Sequence, residues 1–167
     1  YLLYQTLIGT FPAGNVDPLA LGAYRERIDA YMQKAVREAK VRTSWISPNE
    51  AYESAVREFV RRLLSDSEGN AFMEDFRAQL PPLAWFGALN SVSMTLVKFT
   101  SPGVPDIYQG QELIELTLVD PDNRRAVDYA SRREAFAQLK SLASTAPAEL
   151  PARVSALLAT PEDGLAK

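Results

Sequence analysis

Only one short run in this chain, residues 104–108, reads as a β-strand, and it stands among six or seven segments with helical periodicity. A lone strand has no ladder partner, so the chain cannot close a sheet by itself. The fold class is therefore mainly α, a helical, bundle-like fragment with at most one or two short strands. Residues 113–119 are the second stretch whose partial alternation suits extended backbone. The chain opens at Tyr1 on an apolar run already under way, without Met, polar lead-in or cap, as a part of a longer chain would.

The helices are well signposted. Residues 1–8 form a short apolar helix end, stopped by Gly9 and then Phe11-Pro12. Asp17-Pro18 is an N-cap with proline at the first helical position, where its missing N–H is harmless. Leu21, Tyr24, Ile28, Tyr31 and Ala35 then recur at spacings of three and four, predicting a helix to about Lys40. Ser47-Pro48-Asn49-Glu50 reads as a capping serine, a first-position proline and a glutamate completing a capping box. Tyr52, Ala55, Val56, Phe59, Val60 and Leu63 follow on one face. Tyr24, Tyr31, Tyr52, Phe59 and Phe76 are predicted core. Phe72, Phe76 and Leu80 predict a shorter helix ending at Pro81-Pro82. Residues 83–99 hold a single charge, Lys98, and a helix apolar nearly all round is predicted to be buried. Tyr129, Phe136, Leu139 and Leu142 mark another helix, and Pro151 opens a last one.

Composition removes several function classes. The 167 residues contain no Cys and no His, so thiolate nucleophiles, imidazole bases and soft-ligand zinc sites are excluded. Any chemistry falls to carboxylates, Lys, Tyr, Ser or Thr, and no cofactor is implied. No run of about 18 or more apolar residues marks a bilayer span, a span over residues 83–99 being the lesser alternative to burial because of Asn90, Lys98 and its marginal length, and no charged leader with a cleavage site opens the chain. A cytoplasmic location without membrane is the expectation. A net charge of −3 argues against a nucleic-acid partner. The charge is unevenly spread: residues 25–62 are net +3, residues 63–122 net −7 and residues 123–167 net +2. Residues 25–62 read as solvated helix faces.

Polar and aromatic groups concentrate in residues 101–125. Asp106, Tyr108, Gln109 and Glu112 follow the apparent strand, where barrel and doubly wound folds place their functional mouth. They could hydrogen-bond a polyhydroxylated ligand, with Tyr108 offering a flat face to a sugar ring, or they could simply be a turn rich in capping groups. Asp120, Asp122, Asn123, Arg124 and Arg125 lack the glycine and glutamate of a calcium loop, so a cleft-closing loop with paired arginines fits better and no metal site is assigned. Trp45 and Asn49 could form a second binding edge, or a helix anchor with an ordinary cap.

The stretch Ser101-Pro102-Gly103-Val104-Pro105-Asp106-Ile107-Tyr108-Gln109-Gly110-Gln111-Glu112 resembles the segment around the eighth barrel strand of the α-amylase superfamily. A more specific resemblance is to the maltooligosyltrehalose synthase family. It rests on Tyr1-Leu2-Leu3-Tyr4-Gln5-Thr6-Leu7-Ile8-Gly9, on Thr43-Ser44-Trp45 with Pro48-Asn49-Glu50-Ala51-Tyr52-Glu53, and on Leu118-Val119-Asp120-Pro121-Asp122-Asn123-Arg124-Arg125 with Val127-Asp128-Tyr129. The resemblance implies a fragment of a (β/α)8 barrel enzyme. Residues 1–80 would be a helical insertion, and residues 81–167 the last barrel helix, the eighth strand and the helices that follow. It implies a retaining enzyme that uses three carboxylates to turn the reducing-end α-1,4 bond of a maltooligosaccharide into an α,α-1,1 bond. All three carboxylates would lie upstream of Tyr1, so no catalytic residue is expected here, and the chain alone is expected to be inactive. The orphaned apolar helix and strand edge imply self-association of the isolated chain. A reading from another class is a self-standing helical binding or scaffold module using the acidic residues 63–122 as its partner surface.

Overall fold

The computed structural model describes residues 1–12, 14 and 16–167. Among the described residues six α-helices follow one another: α1 Leu2–Thr10, α2 Pro18–Ala39, α3 Glu50–Leu63, α4 Ala71–Thr100, α5 Tyr129–Ala143 and α6 Leu150–Ala159. Two 3₁₀ turns, Asp122–Arg124 and Pro161–Asp163, complete the regular structure. The mainly helical class is observed, and there is no strand among the described residues. Residues 104–108 are irregular rather than a strand, with Val104 97% exposed, because a ladder needs a second strand.

The chain divides into two compact units, Tyr1–Pro81 with Leu116–Arg124, and Pro82–Glu115 with Arg125–Lys167. The first has a continuous apolar core. Leu3 and Leu7 of α1, Phe11, and Leu21, Tyr24, Ile28 and Met32 of α2 meet Val60, Leu64, Met73, Phe76 and Leu80. Phe11 sits edge-on to both Tyr24 and Phe76, with centroids 5.1 and 5.2 Å away. Side chains as fully buried as Leu7 and Ile28 each stabilise the unit by about 1.5–3 kcal/mol. Leu118 packs on this core from the returning segment.

Asp17 caps α2 as the sequence predicts, accepting from the Ala20 amide at 2.8 Å. The start of α3 differs. Asn49, not Ser47, is its cap, with Oδ1 accepting from the Tyr52 amide at 3.1 Å. Ser47 is spent in a tight turn, its amide donating to Ser44 Oγ and its carbonyl accepting from the Ser44 amide. Phe59 is exposed rather than core. The inward line of α3 runs through Glu53, Val56 and Val60, which leaves Phe59 on the outer side.

α4 runs through Pro81-Pro82 instead of ending there. Proline has no N–H, so the carbonyls of Arg77 and Ala78 lose their intrahelical donors, yet the flanking turns hold the helix on both sides. The boundary between the compact units falls between these two prolines. The second half of α4 is not buried within this chain: Phe86, Met94, Leu96, Val97 and Phe99 are all more than half exposed. By length and composition α4 could cross a membrane, and 11% of its most apolar window is buried.

In the second unit the buried apolar side chains among the described residues are Ala88, Ala135 and Pro161. Asp128 caps α5 by accepting from the amides of Ala130 and Ser131. Leu139 and Leu142 of α5 and Leu157 of α6 line a shallow groove with Leu165.

Candidate functional site

In the first unit the candidate loop is a tight turn set against α2. Asp122 Oδ2 accepts from the Leu118 amide at 2.6 Å, and the Asp122 amide donates to the Val119 carbonyl at 3.2 Å. Arg27 of α2 donates through Nε to the same Asp122 oxygen at 2.8 Å, and its guanidinium also reaches the Leu116 carbonyl. Lys34, two turns along α2, donates to the Asp120 carbonyl. The Asp120 carboxylate pairs with Arg124 through Oδ1, an oxygen that is itself buried, while the two side chains taken whole are 46% and 73% exposed. Asn123 Oδ1 is buried in this turn without a hydrogen-bond donor. The turn thus brings together Asp120, Asp122, Asn123 and Arg124.

The other end of α2 supports the second candidate edge. Arg37 grips Glu53 with Nε and Nη2 at 2.9 and 2.6 Å, and Thr43 donates to the same carboxylate at 2.6 Å. Those bonds, from Arg37 first and Thr43 next, pull the Glu53 carboxyl down to about 2. The Arg37 guanidinium carbon also lies 4.9 Å from the Trp45 ring centre. Trp45 is 58% exposed, so it presents a ring at the surface instead of anchoring two helices. Asn49, exposed beside it, is committed through Oδ1 to capping α3.

In the second unit Arg132 of α5 organises the residues after 104–108. Its Nε donates to Glu112 at 3.0 Å, Nη1 to the Asp128 carbonyl at 3.0 Å and Nη2 to the Gly110 carbonyl, with Glu115 3.9 Å away. The Glu112 carboxyl is held below the ordinary carboxylate range, first by its own backbone amide and then by Arg132. Gly110 has φ +94, and an added Cβ would lie 3.4 Å from Val127, so glycine suits this turn. Asp106, Tyr108 and Gln109 are exposed around it, and Arg125 is exposed where the second unit resumes.

The helix-borne cations Arg27, Lys34 and Arg37 escape sequence reasoning, which reads the basic residues 25–62 as solvated faces and does not single out Arg132 either. The available signal is the charge map, because a net +3 block precedes a net −7 block that includes the 116–122 segment. Chemically, an exposed carboxylate–guanidinium pair offers an acceptor and donors suited to vicinal hydroxyls, and exposed Trp45 and Tyr108 offer faces for sugar rings.

No family model matches the chain. It is 37% identical over 138 residues to a Mycobacterium tuberculosis protein named as a maltooligosyl trehalose synthase, a match covering 83% of this chain. It spans 17% of the length of that curated relative. A crystal structure of maltooligosyl trehalose synthase superposes with a TM-score of 0.79 at 32% identity, over 98% of this chain and 20% of that one. A glycosyltrehalose synthase, DSM5389, superposes with a TM-score of 0.71 at 40% identity, over 83% of this chain and 18% of that one.

Proposed function

Because this chain belongs to the maltooligosyl trehalose synthase family, as a segment spanning 17% of its curated relative, we propose that it is a substrate-holding part of an intramolecular transglucosylase. The parent enzyme would cleave the reducing-end α-1,4 bond of a maltooligosaccharide and rejoin the released glucose through an α,α-1,1 bond. Chemistry of that class needs a carboxylate nucleophile and an acid–base carboxyl held at a fixed separation. We assign those groups to the part of the enzyme upstream of Tyr1, and a holding role to this segment.

The observation that carries this reading is the Asp120–Arg124 pair, accessible at the surface of a turn whose backbone is bonded to α2. Asp120 accepts from glucose hydroxyls and Arg124 donates to them. Trp45 supplies a second edge in the same unit, while Tyr108, with Asp106, Gln109 and Glu112, supplies a ring face and polar groups in the other. The exposed apolar half of α4 suits a helix covered by the remainder of a (β/α)8 barrel, with residues 104–108 pairing as a strand once neighbouring strands are present. Residues 1–80 are then a helical insertion and residues 81–167 the closing part of the barrel.

Incubating the purified 167-residue chain with maltohexaose tests the division of labour. No trehalose-ended product is expected, because the paired carboxylates are elsewhere. Formation of such a product by this chain alone would overturn the proposal.

A further inference from the structure

The turn carrying Asp120 and Arg124 is held by a helix far earlier in the sequence. The Arg27 bonds to Asp122 and Leu116 and the Lys34 bond to Asp120 join residues 95, 89 and 86 positions apart. Arg27 and Lys34 are seven residues apart on α2, two helical turns, so they project from one face. Arg27 in turn rests near the core: its guanidinium carbon is 5.9 Å from the ring centre of Tyr24, which is only 3% exposed. Both partners of the Arg27–Asp122 pair are themselves largely covered, 17% and 16% exposed. These contacts land on two backbone carbonyls and on the carboxylate that closes the turn through the Leu118 amide. They bury little apolar surface, Leu118 being what the segment contributes to the core cluster. Their effect is to fix geometry.

We propose that Arg27 and Lys34 are positioning residues for glucan binding: α2 is a template that sets the direction of the Asp120 carboxylate and the Arg124 guanidinium toward the hydroxyls of an α-linked glucose. This rests on the reading of that turn as a substrate-holding element. Neither cation touches the sugar. Loss of either lets the turn rotate, and the pair then meets the glucose hydroxyls out of register.

The test uses the full-length enzyme containing this segment, with maltohexaose as substrate and thermal unfolding followed in parallel. Arg27→Met keeps the aliphatic stem and removes the donors. It is expected to lower kcat/KM about tenfold, chiefly through a higher KM, with Lys34→Met acting in the same direction. Arg27→Lys keeps a cation for Asp122 and is expected to recover part of the loss. Arg27→Met combined with Asp122→Asn is expected to be no worse than the poorer single variant, since both break one contact. Wild-type kinetics in a folded Arg27→Met enzyme, or fully additive losses in the double variant, would overturn the inference. Should Arg27→Met fail to fold, Arg27→Lys decides: an intermediate KM supports positioning and an unchanged KM overturns it. Asp120→Asn separates the two levels. If it lowers kcat/KM while Arg27→Met does not, only the positioning role fails. If Asp120→Asn itself leaves kcat/KM unchanged, the substrate-holding reading fails, and this inference with it.

Discussion

Arg37 on α2 grips the carboxylate of Glu53 on α3 with two nitrogens, at 2.9 and 2.6 Å, while its guanidinium carbon sits over the Trp45 ring, 4.9 Å from the ring centre. One guanidinium therefore joins two helices and steadies the exposed ring between them. Thr43 adds a third bond to Glu53, and the same Thr43 oxygen accepts from the Asn49 amide. The connection that displays Trp45 is thus tied at both ends.

This arrangement fixes a pH dependence. The Glu53 carboxyl is lowered from its ordinary 4.5 to about 2, so the folded chain holds that proton more weakly than the unfolded chain does. Its stabilisation is complete above about 4.5, declines as pH falls through that window and is gone below about 2. Glu53→Gln is expected to be less stable than wild type at pH 7, with the gap closing as the pH approaches 2. Urea unfolding of both proteins across that range checks this; a gap that stays constant would contradict it.

Tyr24 gives a second prediction. Thr10 spends its hydroxyl proton on the Thr6 carbonyl at 2.6 Å, so Tyr24 is the donor in the 2.9 Å bond between them. Burial pushes the Tyr24 hydroxyl up from 10.0 to about 12, and the neutral form it favours stabilises the fold below pH 10 and less as pH rises through 12. Tyr24→Phe is expected to destabilise by about 1 kcal/mol at neutral pH. In alkaline absorbance titration it should remove an ionisation near pH 12.

The apolar half of α4 predicts the behaviour of the isolated chain. Phe86, Met94, Leu96, Val97 and Phe99 leave an exposed apolar surface of the kind that drives association. Light scattering should show dimers or larger species at high concentration, and Met94→Lys with Val97→Lys should shift them toward monomer. A clean monomer for the unmodified chain would contradict this.

Gly110 and Arg132 predict a local effect. With φ at +94, a β-carbon at position 110 strains the backbone, so Gly110→Ala is expected to destabilise by about 1 kcal/mol or more. Arg132→Met releases Glu112 from one of the groups that hold its carboxyl low, and a carbon-detected NMR titration should show it rise.

Helix content was legible because its signals are local. Asp17-Pro18 and the run from Leu21 to Ile28 declare α2 within a dozen residues. The passage through Pro81-Pro82 was not legible, since the breaker rule describes the lost bonds and not the packing of Phe76 and Leu80 that keeps the helix in place. Burial of residues 83–99 failed for a related reason, because composition reports what a helix can bury and not whether its partners are in the same chain. At the candidate site, Asp120 and Arg124 stood out as a charged turn after an acidic block. Arg27 and Lys34 did not, because their partners are 95 and 86 residues away, and no pattern of period 3.6 encodes such a distance.

The most direct test of the account is steady-state conversion of maltohexaose by the full-length enzyme carrying Asp120→Asn together with Arg124→Met. On the proposed holding role these two groups orient the glucan, so kcat/KM for trehalose-ended product is predicted to fall about a hundredfold while the thermal midpoint stays near wild type. Unchanged kcat/KM in the folded double variant would contradict the claim that this segment holds the glucan.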